Sequence, residues 1–117
     1  FSVEERCAFI EEATSHLANV SVRPFDTLLV EFASEVGASV IIKGLRAVTD
    51  FEREFQMAQL NYRLSTEIET MFIMAIPEFM YLSSSAVKEI ARHNGPTRGL
   101  VPENVHDDLV ARLAGSR

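Results

Sequence analysis

Apolar residues recur along this chain at two periods, three to four and two, and the periods alternate. A helical pattern runs from about Ser2 to Leu17, with Val3, Cys7, Ile10, Ala13 and Leu17 on one face. Ser2 is placed as its N-cap, and Glu5 three residues on completes a capping box. Asn19 to Arg23 alternates as a short strand and stops at Pro24. Asp26 is set to cap a helix carrying Leu28, Leu29 and Phe32, which ends at Gly37. Val40, Ile41 and Ile42 then read as a buried strand. A long helix follows from Thr49, with Glu52 in capping-box position, to about Leu64; its Met57, Leu60 and Leu64 are spaced for the core. Thr70 to Met74 is a third strand, and Pro77 to Leu82 a loop. Ser83-Ser84-Ser85 open a helix through Ala91 that Asn94-Gly95-Pro96 terminates. The last helix starts at Pro102 and carries Val105, Leu109, Val110 and Leu113.

Strands separated by helices of this length pair in parallel through crossovers. The pattern predicts an α/β fold with a doubly wound parallel sheet, in one domain spanning residues 1–117. Three strands are few for such a sheet. The chain also begins at Phe1 and enters a capped helix at once, so it reads as part of something longer.

Composition narrows the partners. The 117 residues are 47% hydrophobic and 24% charged, as in ordinary globular domains, and no apolar run approaches a membrane span of about 20 residues. A net charge of -6 argues against broad nucleic-acid binding, although an anionic small molecule responds only to local charge. Cys7 is the single cysteine, so no intrachain disulfide forms, which suits a reducing cytoplasm. His16, His93 and His106 stand apart, no zinc-like spacing occurs, and no metal ligands are expected.

Local charge gathers in two places. In Ile41-Ile42-Lys43-Gly44-Leu45-Arg46 an apolar run ends in two cations around a glycine, where a strand gives way to a helix. Ligands bind at that carboxyl edge in open α/β sheets, and lysine and arginine there suit a phosphate. One of the three serines is needed as a cap; the others would add hydroxyls to free helix N–H groups, again on the carboxyl edge. Lys88 and Arg92 could reinforce that second place or face solvent. Glu54 is less needed for capping than Glu52 and is free to reach a ligand.

The runs Ile42 to Arg46, Thr49 to Asn61, Leu82 to Glu89 and Leu100 to Val105 together resemble bacterial phosphopantetheine adenylyltransferases, and the resemblance extends from Phe1 to the last helix. It implies a Rossmann-like nucleotidyltransferase fold and transfer of an adenylyl group from ATP to 4'-phosphopantetheine. The products would be dephospho-coenzyme A and pyrophosphate, with Mg2+ as cofactor. It further implies a cytoplasmic homohexamer inhibited by coenzyme A. By the same resemblance Lys43 holds the acceptor's phosphate and the backbone at Leu29 its pantetheine arm. Gly44, Leu45, Arg46 and Glu54 contact ATP, as do Phe79, Met80, Tyr81, Leu82, Ser83, Ser84 and Ser85. The family's catalytic histidine lies on a strand and loop that would precede Phe1, so these 117 residues correspond to the carboxy-terminal two-thirds and are expected to be inactive alone. Two alternatives stay open: a related nucleotidyltransferase with a different phosphate acceptor, and a nucleotide-binding fragment without catalysis.

Overall fold

The computed structural model describes residues 1–114, apart from the side chains of Val48 and Thr49. The elements in order are α1 (Val3–Ala13), α2 (Leu29–Glu35), β1 (Val40–Leu45), α3 (Val48–Leu64), β2 (Glu69–Met74), a 3-10 turn (Pro77–Phe79), α4 (Ser84–Arg92) and α5 (Glu103–Leu113). They form two compact units, Phe25–Tyr81 and, separately, Phe1–Pro24 with the stretch from Leu82 on.

The Phe25–Tyr81 unit holds the sheet. β1 and β2 are parallel and paired from Val40↔Glu69 to Leu45↔Met74, joined through α3. This is the expected α/β arrangement of strand, helix and parallel strand. Side chains alternate across the pair. Ile41, Lys43 and Leu45 share a face with Thr70 and Phe72, and α2 and α3 pack there: Val30 and Ala33 cluster with Ile41 and Ile68, and the Phe51 ring meets Phe72 edge-on at 6.1 Å. The other face carries Val40, Ile42, Met71 and Ile73, all exposed.

Several expectations for this unit change. Val40 to Ile42 was expected to be buried throughout, yet Ile41 is 8% exposed and Ile42 62%, because only one face of the strand meets helices. The strand is longer than read, since β2 offers partners as far as Met74; Lys43 and Gly44 therefore lie inside β1. The helix after it begins at Val48 with Ala47 as N-cap and no side-chain cap, which places Thr49 inside the first turn; the Thr49 side chain lies outside the described residues. Met57, Leu60 and Leu64 are exposed instead of core. The half-buried and buried positions of α3 include Glu54, Ala58 and Asn61, a stripe four and then three residues apart, so the sheet selects a face that hydropathy alone does not. Asp26 caps nothing: the N-cap of α2 is Leu28, whose N–H donates to Glu31 Oε2 at 3.4 Å. Gly37 does end α2, at φ +70, the left-handed conformation that a helix stop needs.

The other unit is helical. The Ser2–Glu5 box forms as expected, with Ser2 N–H donating to Glu5 Oε2 at 2.6 Å and Glu5 N–H to Ser2 Oγ at 3.2 Å. α1 ends at Ala13, short of Leu17, and none of its residues is buried; Val3, Ile10 and Leu17 are exposed and Cys7 half-buried. Asn19 to Arg23 is not a strand, because no described strand lies beside it to complete a ladder. The apolar cluster is Val87, Ala91 and Leu109, with Leu82, Leu100, Val101 and Leu113 around it. Polar bonds join α1 to α5: Asn104 donates to the Phe9 carbonyl at 3.0 Å, and Arg112 grips Glu5 with two bonds of 2.9 and 2.6 Å. The Arg112 guanidinium, and then the Ser2 N–H, hold the Glu5 carboxyl down at about 2. Thr97, 1% exposed, lies with its hydroxyl 3.2 Å from His106 Nδ1. Asn94 takes φ 55 just after α4, the stop expected there.

Candidate active site

The carboxyl end of β1 and the first turns of α3 bring four charged side chains together in pairs. Lys43, fourth of the six strand residues, turns toward the helix-covered face and pairs with Glu54 at 3.4 Å. Arg46, the residue after β1, donates through Nε to Asp50 Oδ2 at 3.2 Å. All four side chains keep between about a quarter and two-fifths of their surface exposed, so solvent and a ligand can reach both pairs. Lys43 and Glu54, assigned by resemblance to different ligands, are thus direct neighbours. Asp50 had no assigned role. Its spacing of four from Arg46 was visible, but the rule that pairs residues four apart holds within one helix, and here a strand end supplies the arginine.

Gly44 lies between the two cations on the open face of the sheet. A Cβ built there would meet nothing within 4 Å, and the residue does not take a positive φ. Neither packing nor backbone conformation among the described residues demands glycine, which leaves bare backbone at this edge as its physical consequence. Leu45 is the converse, a buried core side chain that can offer a ligand only its backbone. Leu29 is the first residue of α2, packed against the Val30 cluster, so it too has backbone rather than side chain to give. Phe79 closes the 3-10 turn, Met80 is half-buried, and Tyr81 is 89% exposed.

Leu82 to Ser85 belong to the other unit. Ser83 is the N-cap of α4, its Oγ accepting from Ala86 N–H at 3.1 Å. Ser84 and Ser85 occupy the first turn, exposed, beside backbone N–H groups that no preceding turn satisfies. Ser84 and Lys88 line a cavity of about 540 Å³ with Leu82, Val87, Leu109 and Arg112. Arg92 lies in the last turn of α4 near Glu89, at the opposite end from the serines.

The cytidylyltransferase-like family model matches residues 1–90, from α1 through β1, α3 and β2 to the body of α4. The chain belongs to that family. It is 52% identical to a phosphopantetheine adenylyltransferase of Caulobacter sp. (strain K31), over 97% of this chain and 72% of that protein. The family match ends before α5, whereas the likeness to the Caulobacter protein covers nearly the whole chain. No described helix is long and apolar enough to cross a membrane.

Proposed function

We propose that the whole protein transfers the adenylyl group of ATP to 4'-phosphopantetheine in coenzyme A biosynthesis. An oxygen of the acceptor's phosphate attacks the α-phosphorus of ATP, a new P–O–P bond forms, and the bond to the β-phosphate breaks. Dephospho-coenzyme A and pyrophosphate leave. The 52% identity to the Caulobacter adenylyltransferase carries this reading. The paired cations beside Gly44 support it, because two anionic substrates must be brought into line and the charge on the transferring group stabilised.

In this reading Lys43 receives the acceptor's phosphate as a compact point charge, and Arg46 offers its planar fork to the triphosphate. Glu54 would contact the same nucleotide, as the resemblance implies. Gly44 and Leu45 supply backbone, as does Leu29 toward the pantetheine arm. The resemblance also assigns Phe79, Met80, Tyr81 and Leu82 to the nucleotide, and Ser83, Ser84 and Ser85 would offer N–H and hydroxyl groups to phosphate oxygens. Among the described residues no three His, Cys, Asp or Glu side chains gather to hold a metal. Magnesium, the cofactor the resemblance implies, would neutralise triphosphate charge. The protein works in the cytoplasm as a homohexamer with coenzyme A as feedback inhibitor. The exposed Met57, Leu60, Leu64 and Ile76 are apolar surface that subunit contacts would cover.

Pyrophosphate release by the whole protein, given ATP, magnesium and 4'-phosphopantetheine, tests the reading. Stoichiometric dephospho-coenzyme A is the expected product. Turnover of a different phosphate acceptor, with none of 4'-phosphopantetheine, would overturn it.

A further inference from the structure

Each cation at the end of β1 already has a carboxylate. Lys43 meets Glu54 at 3.4 Å and Arg46 meets Asp50 at 3.2 Å, so the four side chains carry no net charge as a group. An arriving phosphate does not find a free ammonium at Lys43. It finds one that is shared with a carboxylate, and that carboxylate repels it.

The Lys43–Glu54 pair is poorly placed to be a mere fastener between β1 and α3. Its side chains are 37% and 27% exposed, and ion pairs that open to solvent add little to stability. The packing of Phe51 on Phe72 already joins α3 to the sheet. Nor does Glu54 lie on an outer face where its charge would be diluted. It belongs to the stripe of α3 that includes half-buried Ala58 and buried Asn61, and it reaches a lysine set between Ile41 and Leu45, both buried. There the carboxylate acts on the ammonium at short range, and a phosphate that binds Lys43 must come within a few ångströms of the same carboxylate.

We propose that Glu54 is the counter-charge of Lys43. It aims the ammonium in the free protein and lowers its affinity for the acceptor's phosphate, so that Lys43 passes from carboxylate to phosphate on binding and back on release. This rests on the reading of Lys43 as the phosphate contact. Glu54 is a positioning residue here, acting on the acceptor through Lys43. The arrangement favours a doubly charged phosphomonoester, which can compete with a carboxylate for the ammonium. Once that phosphate is joined to AMP it carries less charge and competes less well, so the product leaves more readily.

Glu54→Gln separates charge from aim. The amide oxygen still accepts a hydrogen bond from the ammonium, but the negative charge is gone. Calorimetry on the whole protein without nucleotide, with 4'-phosphopantetheine and then with pantetheine, reads the result. The expected outcome is about three- to tenfold tighter binding of 4'-phosphopantetheine and unchanged binding of pantetheine, with the gain shrinking as salt is raised. Glu54→Asp, which keeps the charge, should stay within about twofold of the parent protein. In a Lys43→Ala background Glu54→Gln should give no gain. Unchanged or weaker binding of 4'-phosphopantetheine by Glu54→Gln, or a gain that also appears with pantetheine, would overturn the counter-charge role. If Lys43→Ala alone leaves 4'-phosphopantetheine affinity intact, the reading of Lys43 itself falls, and that result is distinct from a failure of Glu54→Gln.

Discussion

The two units use the same kind of bond for different ends. In the helical unit, Arg112 and Glu5 stand 107 residues apart and their double hydrogen bond ties α5 to α1. Asn104 does likewise, reaching the Phe9 carbonyl and Glu12 Oε2. In the sheet unit, Lys43–Glu54 and Arg46–Asp50 span only eleven and four residues of one strand–helix junction. Phe51, Phe72 and the Val30 cluster already hold that junction together. A charged pair that brings distant segments together is doing structural work. A pair that joins neighbours already packed leaves its charges available, and here those charges face the edge where ligands of such sheets bind.

If that contrast is right, breaking a pair in the sheet unit should change binding, and breaking one in the helical unit should change stability. The largest effect is expected at Arg46. Arg46→Ala should weaken ATP binding by about 1.5–3 kcal/mol, the size of a charge-assisted hydrogen bond, with little change in the unfolding midpoint. Calorimetry with ATP and a thermal melt on the same sample would check both halves. A lowered midpoint with unchanged ATP affinity would return Arg46–Asp50 to the structural class.

Gly44→Ala sharpens the contrast further. No described atom obstructs the added methyl, and alanine costs less backbone entropy in a strand, so stability should hold or rise by about 0.5–1 kcal/mol. Adenylyl transfer should nonetheless fall, because the methyl intrudes on the bare backbone beside Lys43 and Arg46. Kinetics and denaturant titration of the variant would show the two quantities moving in opposite directions. Gly95 provides the comparison within the helical unit: a Cβ there would come within 2.8 Å of the Ile90 side chain, so that glycine is required by packing.

The smallest effect should come from the exposed Glu5–Arg112 pair. The folded Glu5 carboxyl lies at about 2, below its ordinary value of 4.5. A lowered folded value stabilises the protein above the unfolded value, and that contribution is lost as pH falls from about 4.5 toward 2. Arg112→Ala should therefore lower the thermal midpoint slightly at neutral pH and much less near pH 2, while ATP affinity stays as it was. A difference that persists unchanged at the acid end would show that lost packing of the guanidinium on the Phe1 ring, 4.6 Å away, accounts for it instead.

Much of this molecule can be read from short stretches of sequence. The Ser2–Glu5 box, a cap from the serine run and the stops at Gly37 and Asn94 all depend on groups within a few residues of each other, and each appears where the pattern puts it, with Ser83 the serine that serves. The cations around Gly44 could likewise be singled out, because an apolar run giving way to Lys43 and Arg46 is a local signal. Asn19 to Arg23 misled for the complementary reason: alternation is local, but a strand exists only if another lies beside it.

Tertiary packing settled what local signals could not. Hydropathy put Met57, Leu60 and Leu64 of α3 in the core, and the sheet instead took the face with Glu54, Ala58 and Asn61. That choice set Glu54 on Lys43, and the run of the chain back through Arg46 set Asp50 on the arginine. So sequence by itself determined the alternation of helix and strand, the caps and stops named above, and which cations stand at the strand's edge. Only the tertiary structure decided which carboxylates neutralise those cations. Caps and turns form within a few residues, whereas the carboxylate that meets Lys43 depends on which side of a helix the sheet accepts.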